Sequence, residues 1–130
     1  MSGHTVIWTH WHADRSLSIN GKNLATGRTF QVVHLRSDQV NPQFGVHAAI
    51  DGSMVAWDQA RRAPYVPGKA DIYVRNLATG RTLRLTDVGA DNAWPAVAGH
   101  TVVWEQWSNG RVRIAGAVLQ CSRNILKEHT

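Results

Sequence analysis

The chain has 130 residues, of which 43% are hydrophobic, an ordinary domain's worth of foldable sequence, and this excludes disorder. The single cysteine, Cys121, excludes an internal disulfide and builds no zinc site without several histidines. The net charge of +5 is scattered over 14 Lys and Arg with no run longer than two, so it reads as a solvated basic surface and makes nucleic acid a disfavoured partner.

In chain order, the first strand formers are Thr5-Val6-Ile7-Trp8-Thr9-His10, with alternating character. A loop over 12–15 follows, and Ala25-Thr26-Gly27-Arg28 then reads as a tight hairpin turn in which Gly27 takes a positive φ. Residues 35–42 connect to a middle unit with strands predicted near 46–50, 53–59, 70–77 and 81–86. Its second and third strands are joined over 60–69, its third and fourth by Ala78-Thr79-Gly80-Arg81. Residues 87–95 lead to Thr101-Val102-Val103-Trp104 and, past 108–110, to Val112-Arg113-Ile114-Ala115-Gly116. Pro42 and Pro95 are placed in linkers, because proline cannot sit in a central strand. Helical periodicity is confined, if present at all, to the last ten residues. No stretch of about 18 apolar residues is present to span a membrane, and Met1-Ser2-Gly3-His4 does not read as a signal peptide.

These elements repeat. Gly3-His4-Thr5-Val6-Ile7-Trp8 returns as Gly52-Ser53-Met54-Val55-Ala56-Trp57 and as Gly99-His100-Thr101-Val102-Val103-Trp104, with the tryptophans 49 and then 47 residues apart. Asn23-Leu24-Ala25-Thr26-Gly27-Arg28-Thr29 returns as Asn76-Leu77-Ala78-Thr79-Gly80-Arg81-Thr82. Asn41-Pro42 and Trp94-Pro95 each lead into a Gly-x-x-Val-x-Trp element. A period of this length, with four short antiparallel strands per unit, makes one propeller blade. The fold class is therefore all-β, a β-propeller fragment built from four-stranded antiparallel blades. Residues 1–119 form the partial propeller, in units of about 1–40, 41–93 and 94–119, and 120–130 is a tail without the repeat. The expected strand count is three, four and three, since the third unit has neither the turn motif nor an outer strand.

The pattern Pro…Gly-x-x-Val-x-Trp…Asp-Ile-Tyr-Val-x-x-Leu-x-Thr-Gly-x-x-x-x-Leu-Thr, fullest between Pro42 and Thr86, resembles the TolB-like β-propeller repeat. The resemblance covers most of 3–119 and implies a ring of such blades, a protein–protein contact role and a periplasmic or cell-surface setting. The order Trp57-Asp58-Gln59-Ala60-Arg61 departs by one position from the Asp-x-Arg that follows the tryptophan in the family, and the third unit keeps only Glu105. A closed ring needs at least about four blades. The expectation is thus a piece of a longer propeller, with self-association through open blade edges or pairing with a partner chain as the alternatives.

Trp8, Trp57 and Trp104 are expected to pack between blades. Trp11, Trp94 and Trp107 fall at or near loops, where an aromatic side chain is a contact candidate. One end of the blades carries the connections 12–15, 35–42, 60–69, 87–95 and 108–110, which differ from unit to unit, while the Ala-Thr-Gly-Arg turns mark the other end. Variation on a rigid frame points to the first end as the binding surface. Arg61, Arg62 and Tyr65, in a loop stiffened by Pro64 and Pro67, are its most distinctive residues, and Trp94 and Trp107 complete the candidate set. His10 and His12 form a His-x-His on one strand face, which reads as polar surface and not as a metal site; no cofactor is expected. The serine elbow, phosphate loop and sialidase box have no match, so the chain is read as a non-catalytic interaction module. The alternative is part of a propeller associated with a carbohydrate-active enzyme or a peptidase.

Overall fold

Strand formers at alternate positions produce three antiparallel sheets in a computed structural model that describes residues 4–40, 45–60, 70–86, 90–120 and 125–129. The first sheet holds β1 (Thr5–Trp11), β2 (Leu17–Asn23) and β3 (Thr29–Leu35). A single 3-10 turn over Ser37–Gln39 follows. The second sheet holds β4 (Ala48–Asp51), β5 (Met54–Ala60), β6 (Ala70–Asn76) and β7 (Arg81–Arg84). The third holds β8 (Asp91–Ala98), β9 (Thr101–Ser108), β10 (Arg111–Gln120) and β11 (Ile125–His129). Strands follow one another in chain order within each sheet, which is the meander of a propeller blade.

The repeat sets the local structure closely at one end of the sheets. Gly27 and Gly80 both have φ of 76°, the left-handed region where a side chain would be strained. Gly27 N–H donates to the Asn23 carbonyl and Gly80 N–H to the Asn76 carbonyl, each at 2.7 Å. The side chains of Asn23 and Asn76 accept from Ala25 N–H and Ala78 N–H, each at 2.9 Å. These are Asx-type turns, written locally by Asn, Thr and Gly.

Strand register turns the sequence repeat into a packing rule. In the second sheet Val55 and Trp57 point toward the first sheet, where they join Leu17, Ile19, Val32 and Leu35 in one core. Met54, Ala56, Ile72 and Val74 point the other way, where they join Val102, Trp104, Ala115 and Ala117 of the third sheet. At both interfaces the tryptophan face of the later sheet thus meets the isoleucine face of the earlier one. Trp57 and Trp104, 1% and 2% exposed, fill these two interfaces as expected. Aromatic and aliphatic burial of this kind supplies the main stabilising term in folding. Bonds from β8 tie the last two sheets: the buried Asn92 side chain donates to the Ala70 carbonyl at 3.1 Å and accepts from Trp104 Nε1 at 3.2 Å. Gly99 N–H donates to Asp51 Oδ2 at 2.7 Å at the opposite end of the strand.

Three expectations change. Trp8 holds the same repeat position as Trp57 and Trp104 but is 40% exposed, because no sheet among the described residues lies against its face. Pro95 is not in a linker; it lies within β8, buried, at the irregularity in the β8–β9 register between Ala93 and Ala96. β8 is the edge strand of its sheet, where a missing N–H leaves no ladder bond unmade. The third sheet has four strands and not three, because Ile125–His129 pairs with β10 from Gly116↔His129 to Gln120↔Ile125. That outer strand forms without the Ala-Thr-Gly-Arg motif that precedes β3 and β7.

Candidate binding surface at the loop end

β1, β5 and β9 finish at the same end of their sheets, and β2, β6 and β10 begin there. Trp11 and Trp107 each stand three residues after the repeat tryptophan, at the position Ala60 fills in the second sheet, and both are exposed. Trp11 leans on Gly45, where a built Cβ would come within 3.3 Å of its ring. The Trp107 ring is oriented by its Nε1–H, which donates to Glu105 Oε1 at 3.2 Å.

Trp94 is built differently. Its φ of 59° lies in the left-handed region, uncommon for a residue this bulky. The conformation is held by Asp58, whose Oδ2 accepts the Trp94 backbone N–H at 3.1 Å across the two sheets. The same carboxylate accepts His47 N–H at 2.7 Å and His47 Nδ1–H at 2.7 Å. Asp58 is buried, and its donors satisfy it there, as a buried carboxylate requires. The His47 ring stacks on the Trp94 ring with centroids 3.5 Å apart. Trp94 remains 58% exposed on top of this support. Strain in a non-glycine residue persists only where the surroundings impose it, and such residues concentrate at functional sites.

Arg61, Arg62 and Tyr65 lie outside the described residues. Of the sequence candidates, Trp107 is at the loop end and exposed, as Trp11 is on the first sheet, and Trp94 is exposed midway along β8, opposite Trp104. Trp94, expected in a loop, sits in a strand. Sequence reasoning missed the His47–Asp58–Trp94 link. The available signal was the acid directly after the repeat tryptophan, Asp58 and Glu105, noted only as a departure from the family pattern.

The histidines gather on the open tryptophan face of the first sheet. The rings of His10 and His12 are 4.8 Å apart and those of His12 and His34 are 5.4 Å apart. Between them the buried Ser18 hydroxyl lies 2.8 Å from His12 Nε2, 3.1 Å from His34 Nδ1 and 3.3 Å from Gln31 Oε1. Among the described residues no group of three His, Cys, Asp or Glu side chains is arranged to hold a metal ion. In the 12–15 turn, hydrogen bonds from the Ser16 hydroxyl and N–H hold the Asp14 carboxyl below its usual range. No helix among the described residues is long and apolar enough to cross a membrane.

No protein-family model matches the sequence, and no curated protein does. Among solved structures the chain is similar to TolB from Acinetobacter baumannii, with a TM-score of 0.59 and 17% identity over 97% of this chain. The match takes in 29% of that protein, so this chain spans under a third of its length. Likeness at this identity shows the fold: the three sheets are blades of β-propeller type.

Proposed function

We propose that the chain is a non-catalytic protein-binding module, three blades of a TolB-like propeller, and that it takes its partner on the loop end. The observation that carries this is the placing of two of the six tryptophans, Trp11 and Trp107, at that one end with their rings open to solvent, with a third exposed tryptophan, Trp94, further along β8. Exposed tryptophan is expensive in water and is concentrated at the centres of protein contacts. The support beneath Trp94 pre-orders its ring, which lowers the ordering cost on binding. Arg61, Arg62 and Tyr65 add side chains of the type that anchor interfaces. A periplasmic or cell-surface setting goes with this reading.

The test is capture of partners from extracts of the source cells on immobilised protein. Trp94→Ala with Trp107→Ala, and separately Arg61→Ala with Arg62→Ala and Tyr65→Ala, should each lower the retained partner at least tenfold. Thr26→Ala with Thr79→Ala, at the turn end, should leave it unchanged. Equal capture by all the folded variants would reject the loop end as the binding surface.

A further inference from the structure

Two faces carry the chemistry of the inter-sheet cores with no sheet among the described residues against them. The first sheet's tryptophan face presents Val6 and Trp8, which occupy the register positions of Val55 and Trp57 and of Val102 and Trp104. The third sheet's isoleucine face presents Val103, Val112 and Ile114. Ile19, opposite Thr9, Ile72, opposite Asp58, and Ile114, opposite Glu105, stand at one register position. The first two are fully buried and Ile114 is 64% exposed. A residue type buried twice and exposed once, at one position of a repeat, marks an interface with one half missing.

We infer that a second copy of this chain docks head to tail, setting its isoleucine face (Val103, Val112, Ile114) against the Trp8 face of the first copy. The contact continues the packing rule that already joins the first sheet to the second and the second to the third. By register the Trp8 face adds Lys22 and the histidines, and the opposing face adds Glu105 and Asp91. The two surfaces differ, so the contact is heterologous, and it closes a ring or extends a chain according to the rotation per copy. Among the described residues the first sheet holds β1 to β3, so the contact lacks the bonds that β8 makes between the second and third sheets. The association is therefore reversible.

Sedimentation velocity over about 1 to 100 µM tests it. The unaltered chain should shift with concentration from one copy to two or more. Trp8→Asp and Ile114→Asp should each remain single alone, because every head is blocked in one and every tail in the other. Mixed one to one, they should form a complex of two copies and no larger, through the one intact pairing. Both side chains are exposed, so circular dichroism should match the parent; where aspartate disturbs folding, Trp8→Gln and Ile114→Gln should give the same pattern. A parent chain that stays single throughout, a Trp8→Asp variant that associates as the parent does, or a mixture that stays single would each overturn the inference.

Discussion

The two ends of these sheets are made by the same strands and follow different rules. At the turn end, Asn23–Arg28 and Asn76–Arg81 share three hydrogen bonds at the same lengths and place glycine at the same φ. At the loop end Trp11, Ala60 and Trp107 share one position and differ in it, and further along β8 Trp94 is held by a carboxylate from another sheet. The difference is one of causes. The turns are specified by residues next to each other in sequence, so copying the sequence copies the structure. The loop end is specified by contacts between sheets, so each unit has its own arrangement, and an exposed ring can be positioned there without disturbing the strands.

The largest effect expected from breaking this contrast is at Asp58. Asp58→Ala leaves two backbone N–H groups and His47 Nδ1–H without their acceptor, two sheets losing a shared anchor. Urea denaturation should show a loss of about 3 kcal/mol or more. The turns should respond next, and equally. Gly27→Val and Gly80→Val each force a branched side chain to φ near 76° and should cost about 1–2 kcal/mol, within about 0.5 kcal/mol of each other. A large difference between them would mean that the turns are not the independent local units described.

Trp94 reverses the glycine argument. Trp94→Gly relieves a positive φ and loses a stack on His47, so stability should change by less than about 1 kcal/mol while partner capture falls. The smallest effect is at Asp14. Its folded-state pKa is lowered by the Ser16 hydroxyl and N–H, so its contribution is present above the unfolded carboxylate value and is lost as pH falls through the folded one. A melting series from about pH 6 downward should show a small acid-side loss confined below about pH 4, reduced in Ser16→Ala, which keeps the N–H but not the hydroxyl.

How much of this was legible in the sequence follows the same division. Strands β4 to β7 fall within one or two residues of expectation at most of their ends, because alternation and the Asn-Leu-Ala-Thr-Gly-Arg turn are local signals. β11 was not legible, since Ile125–His129 pairs without a turn motif and its pairing is set by β10. Pro95 was misplaced because proline marks a linker or an edge strand alike, and only sheet order separates the two. Trp8 reads the same as Trp57 in sequence; its exposure depends on what lies against the first sheet. The Asp58 anchor joins residues 36 positions apart across two sheets, a distance no local pattern encodes.

The claim that partner binding belongs to the loop end is tested most directly by site-specific photocross-linking. A benzophenone amino acid is placed singly at position 94, 107, 26 or 79 of the full chain and irradiated in extracts of the source cells. The account predicts a discrete partner adduct from positions 94 and 107 and none from 26 and 79, which lie at the turn end. Adducts from 26 or 79, with none from 94 and 107, would contradict it.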